Sequence, residues 1–210
     1  TEATVTLDVT DDAIVEDLET VTLTLSAVAG DPQNTIDATN NSDSVDITLL
    51  PGPDFTVLKT VQTISDPVSP SNPKAIPGAF LDYTILVTNS GAGAVDTDTT
   101  VISDPVPANT DLYVGDLAGG GSGPVTFANG SPSSTLTYSF ASLDSAADDI
   151  DFSDDNGLSW TYYHDSDFSG VDADGFDAAV THIRINPKGV FAGAAGGNPS
   201  MSLVFRVRVE

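Results

Sequence analysis

Strict alternation of apolar and polar side chains constrains this chain more than any other feature. In FLDYTILVTNSG, residues 80–91, Leu81, Tyr83, Ile85 and Val87 alternate with Asp82, Thr84 and Thr88. A period of two is the signature of a strand with one buried face. Asn89-Ser90-Gly91 supplies turn residues that end it. The last segment repeats the pattern: Met201, Leu203, Phe205, Val207 and Val209 face one way, Arg206 and Arg208 the other. No convincing 3.6-residue stripe occurs. At most a single helical turn fits near 143–149 or 176–180. The expectation is an all-β chain in which residues 80–89 form a central strand and the last strand pairs in the same sandwich.

Taken in order, residues 3–9 (ATVTLDV) place Val5, Leu7 and Val9 on one face. Asp11-Asp12 make a turn. Val21, Leu23 and Leu25 mark a second strand; Val45, Ile47 and Leu49 mark a third. Three strands make a small sheet, and small sheets are marginal alone. Pro51-Gly52-Pro53 then breaks the pattern, because neither proline can donate to a ladder. It is the best domain boundary, dividing 1–51 from 54–210.

Two resemblances follow from these residues. VTLDVTDDAIVEDLETVTLTLS, residues 5–26, resembles the second half of a Calx-beta domain: a strand, an acidic pair, then Glu16-x-x-Glu19 opening the next strand. The resemblance implies calcium held by Asp11, Asp12, Glu16 and Glu19, on an incomplete small β domain. Residues 54–114 resemble the conserved-repeat surface domain (domain of unknown function number eleven). The matching elements are Lys59-Thr60, Pro77-Gly78, Tyr83-Thr84-Ile85, Val87 to Gly91 and Asp104-Pro105-Val106-Pro107, with a looser match at the last strand. This second resemblance implies an immunoglobulin-like Greek-key sandwich on a cell surface, without enzyme chemistry. Residues 115–195 would be an insertion into it.

The insertion is itself rich in strand signals. PVTFA and TLTYSF flank Asn129-Gly130, and IDFS and LSWTYY flank Asp154-Asp155-Asn156-Gly157. Each pair reads as a hairpin. Ile150 and Phe152 would then face Leu158, Trp160 and Tyr162. VTHIRIN is a further strand, and GVFAGAAGGNPS a Gly/Ala loop.

Charge narrows the partners. The net charge is -25, from 31 acidic and 6 basic residues. Binding to nucleic acid or anionic lipid needs clustered Lys and Arg, so neither is expected as a partner. No stretch approaches the ~20 apolar residues of a membrane span. Without cysteine there are no disulfides and no thiolate metal sites. The chain opens on a strand with no basic or apolar leader, as a cytoplasmic protein or a mature product would. The surface-domain resemblance favours an extracellular or cell-surface location.

Glu occurs only at positions 2, 16, 19 and 210, and every other acid is Asp. Asp favours turns, so the charge sits in loops. Short flexible carboxylates suit calcium, which takes several oxygen ligands; adaptation to salty water is the plainer reading. Eleven Asp fall between 144 and 177 with no Lys or Arg among them. Asp148, Asp149, Asp151, Asp154 and Asp155 form one dense run, and Asp172, Asp174 and Asp177 another. Carboxylates this close repel unless a cation intervenes. Neither run has EF-hand spacing. His164 and His182 are too few for a zinc site. No nucleophile elbow or phosphate loop is present, so no catalytic residue is assigned. Trp160 and Tyr162 share a face, which reads as core before it reads as a sugar platform.

The first expectation is a non-enzymatic extracellular structural protein, a filament subunit or adhesin. It would assemble head-to-tail as a homopolymer by strand complementation through Val5, Leu7 and Val9, and be stiffened by calcium. A calcium-dependent module for glycans or another surface is the alternative. A hydrolase using the Asp cluster ranks last.

Overall fold

The computed structural model describes residues 19–22 and 46–49 by their backbone, and residues 52–162 and 171–210 in full. The chain divides into two compact units, Thr1–Gly52 and Pro53–Glu210. In the first, β1 (Glu19–Thr22) pairs antiparallel with β2 (Asp46–Leu49), setting Val21 opposite Ile47. Val5, Leu7, Val9, Asp11, Asp12 and Glu16 lie outside the described residues.

The second unit is all-β. Its strands are β3 (Phe55–Ser65), β4 (Phe80–Asn89), β5 (Ile102–Pro105), β6 (Thr110–Tyr113), β7 (Val125–Asn129), β8 (Ile150–Ser153), β9 (Phe176–Asp177), β10 (His182–Ile185) and β11 (Ser200–Val209). Every pair of named strands is antiparallel. One sheet has the order β3-β4-β11-β6-β9, with β7 also on β11; the other is β5-β10-β8. They face each other across one core. Ile85, Leu203 and Phe205 from the first sheet and Ile150, Phe152 and Ile183 from the second are all buried in it. Two apolar faces closed on each other is the sandwich solution to burying a sheet.

The alternation at 80–89 forms its strand over those same residues, and β11 pairs with it from Ser200 to Arg208. The hub is β11, which also holds β6 and β7. Asn89 does more than end β4. It is fully buried: its Oδ1 accepts the N–H groups of Asp54 and Gly91, and its Nδ2 donates to the carbonyls of Gly93 and Ala192. One amide ties the start of β3 to two loops and spends all of its hydrogen-bonding capacity doing so. Gly193 lies so close to Ala92 that a Cβ would sit 2.1 Å from the Ala92 carbonyl oxygen.

Four local expectations are corrected. Residues 124–140 do not form a hairpin: β7 pairs with β11, while 135–140 makes only an isolated bridge, at Thr137 to Lys188. The Asn129 amide instead donates to the Leu136 carbonyl and ties down the loop. Residues 150–162 are not a hairpin either, because β8 takes β10 as its partner. Leu158 is thrown outward at 86 % exposure, while Tyr162 is buried. The turn at 153–159 is held by Asp155, which accepts Ser159 N–H at 2.9 Å and the hydroxyls of Ser153 and Ser159. Finally, residues 176–180 begin with β9 rather than a helical turn, and none of the described residues is helical. Local turn signals lose here to long-range pairing with β10 and β11.

Candidate functional site: an open sheet edge and paired aspartates

β3 is the first strand of the larger sheet and has one neighbour among the described strands, β4. Register sets Phe55, Val57, Lys59 and Val61 opposite Asn89, Val87, Ile85 and Tyr83. Directly opposed residues share a face, so these four β3 side chains lie on the core side of the sheet. Two of them find partners. Phe55 meets the buried Phe191 edge-on, ring centres 5.1 Å apart. Lys59 reaches Asp104 on β5, Nζ to Oδ2 2.6 Å, passing over the rings of Tyr83 and Phe205. That ion pair crosses from sheet to sheet and closes this end of the sandwich.

The smaller sheet ends at β5, so little lies over the rest of β3. Val57 is 62 % exposed and Val61 55 %, although both are on the core side. Leu58, on the other face, is 54 % exposed. Of the ten large apolar side chains exposed among the described residues, five belong to this one strand. Natural edge strands are normally blunted by charge, proline or bulges. β3 has a bulge near Thr63 and Ser65 and one inward lysine, and no carboxylate anywhere in its sequence.

Among the described residues, seven aspartates form ion pairs with partners distant in sequence. Arg184 holds Asp151 through Nε and Nη2, at 3.0 and 2.8 Å. Lys188 approaches Asp149 at 3.7 Å, and Asp149 also accepts the Ser139 N–H at 2.7 Å. Arg206 holds Asp82 with both branches of its guanidinium. Arg208 binds Asp111 and Asp172 at 2.6 Å each, with Asp174 at 3.9 Å. Asp148 accepts the Ala141 N–H, and the buried Asp177 accepts the Tyr162 hydroxyl and the Ala179 N–H. Asp154 is exposed. Arginines and a lysine from β10, β11 and the loop between them thus meet Asp149, Asp151, Asp172 and Asp174 of the acidic runs. Among the described residues, no three or more Asp, Glu, His or Cys converge on a point where a metal ion could be held.

Where a carboxylate pKa is displaced, it moves down. Ser153 and Ser159 hold Asp155 at about 2. Backbone N–H groups lower Asp66, Asp116 and Asp172, with Arg208 adding to the effect on Asp172. None is held up as a general acid would require. The sign for stability is fixed by the direction. Groups depressed below their ordinary 3.8 contribute stability that is present above that value and lost as pH falls through the folded pKa. Stability should therefore be flat from pH 7 to about 4 and fall between about 4 and 2. Urea midpoints measured across that range check it. Asp155→Asn should flatten the lower part of the decline, because it removes the group that protonates last.

Of the two aromatic residues read as core before sugar platform, Tyr162 is buried and Trp160 half-buried. The Arg184 guanidinium lies 4.6 Å from the centre of the Trp160 ring. His182 sits on β10 with its Nδ1 buried and without a hydrogen-bond partner, and His164 lies outside the described residues. A separate hollow of about 310 Å³ opens between residues 118–122 and β7, lined by Phe127, Tyr138 and Phe140. No helix among the described residues is long and apolar enough to cross a membrane. Neither protein-family models, nor curated proteins, nor solved structures match the chain. Composition alone pointed to loops for the acids. It had no means of pairing Arg208 with Asp172, or of showing that β3 is an edge.

Proposed function

We propose that this chain is a non-enzymatic structural subunit of an extracellular filament, sheath or adhesin, built from immunoglobulin-like units and joined head-to-tail by strand exchange. The observation that carries the reading is β3, a long edge strand with half of the described exposed apolar side chains and no acid. Unpaired edges of this kind template pairing with another chain. A heterologous contact that does not close on itself builds a fibre. The resemblance of residues 54–114 to the conserved-repeat surface domain agrees with it.

Negative-stain microscopy of the purified chain is the direct test. Fibres are expected from the intact chain and not from one lacking residues 1–12. Fibres that persist after the deletion would remove the N-terminal strand as the connector. Copies at -25 repel, and salt screens that only beyond ~8–10 Å. Calcium at Asp11, Asp12, Glu16 and Glu19 would lower this charge where subunits meet. A ligand that binds only the native state raises the melting temperature by mass action. Millimolar calcium should raise it above the value in chelator and above that in matched magnesium. Equal melting in all three would leave these acids as solvated surface.

A further inference from the structure

We infer that the acceptor for this exchange is the edge of β3 left without a neighbour among the described strands, and that its occupant is residues 3–9 of a second copy, whose alternating sequence suits an added strand. The inference rests on the polymer reading and adds its docking site. Three observations select the pair.

The first is shape. Val57 and Val61 continue the core-facing row of β4 yet remain more than half exposed, with Lys59 between them drawn back onto Asp104. A strand added beyond β3 would place every second side chain on that same face. Such a strand covers Val57 and Val61 and extends the sheet by one member. The second is pattern. ATVTLDV supplies Val5, Leu7 and Val9 at the two-residue spacing of Val57, Lys59 and Val61. Seven extended residues span about 23 Å, close to the eight residues of β3 that precede its bulge. The third is charge. β3 carries no carboxylate, and residues 3–9 carry a single charge, that of Asp8. Two copies at -25 can meet along these two strips without setting acid against acid.

Because the chain has no cysteine, single thiols report the contact cleanly. Val5→Cys and Val9→Cys, the residues that oppose Val61 in an antiparallel and a parallel addition respectively, are each mixed with Val61→Cys, oxidised and run without reductant. In one of the two mixtures the mixed disulfide should exceed either homodisulfide about tenfold. A dominant Val61→Cys homodisulfide would mean that β3 pairs with β3 of a second copy. A monomeric intrachain disulfide in either double variant at high dilution would mean that the chain covers its own edge. No cross-link in either mixture in fibre-forming conditions would mean that the two strips do not meet. Each of these overturns the inference.

Val57→Lys with Val61→Lys is the second arm. Both positions are exposed, so the melting temperature should stay within a few degrees of the parent while fibres disappear. Fibres from that variant would sink the β3 assignment and leave the polymer reading standing. If the unaltered chain forms no fibres, both fall.

Discussion

Phe205→Ala should destabilise the second unit by about 3–5 kcal/mol, the range for emptying a fully buried aromatic site. Phe205 is completely buried on β11, the strand that holds β4, β6 and β7. Its ring stacks on Tyr83 with centres 5.4 Å apart and planes 12° from parallel, and Lys59 Nζ lies 5.4 Å from its centre. Truncation removes the burial, the stacked pair and the floor beneath the Lys59–Asp104 bridge together. Domains are commonly stable by about 5–15 kcal/mol, so this one change takes a large share. Urea unfolding of the variant against the parent measures it. Val57→Ala is the internal control: it removes two methyl groups from the same sheet at an exposed place, and should stay within about 0.5 kcal/mol. Equal losses for the two would mean that the core does not lie where the structure puts it.

Arg208→Met should cost a similar amount, about 3–5 kcal/mol, for the opposite reason. Arg208 lies between Phe80 and Asp111 in the register of β11, with its guanidinium 4.5 Å from the centre of the Phe176 ring. Asp111 is buried, and its Oδ1 has no hydrogen-bond partner even in the intact site. Removing the cation strands that carboxylate in a poorly solvated place beside Asp172. Methionine keeps the length and apolar bulk of the stem, so the loss reads mainly as charge. The diagnostic is rescue: Asp111→Asn in the Arg208→Met background should recover more than half of it. Asp111→Asn alone should be mildly destabilising. Failure of the rescue would mean that Arg208 acts through its packing on Phe176, and not by neutralising Asp111.

These two residues also mark where sequence reasoning stops. The alternation of Leu81, Tyr83, Ile85 and Val87, and of Met201 through Val207, assigned β4 and β11 and their buried faces correctly. A strand exposes its two faces in the order of its residues, whatever it pairs with, so periodicity alone carries that information. Pairing is a different quantity. Asn129-Gly130 and Asp154 to Gly157 are sound turn signals, yet the flanking segments found β11 and β10 instead. Nothing local ranks a neighbour in sequence above a strand that lies 70 residues away. The cations that meet four of the eleven aspartates in the run from 144 to 177, Arg184, Lys188 and Arg208, come later in the chain, so spacing within the run could not show them.

By itself, then, the sequence determined an all-β chain, its two best strands and their inward side chains; the acids it assigned to loops lie partly on strands, Asp82, Asp104, Asp111 and Asp151 among them. The strands and their faces follow from spacing along the backbone and from intrinsic preference. Tertiary structure alone decided that β3 is an edge, that Lys59 turns inward to Asp104, and which cation meets which carboxylate. Those outcomes depend on where the smaller sheet ends and on contacts across 30 to 120 residues of chain. Coulombic and packing energies act through space, and distance through space is what a linear sequence does not contain.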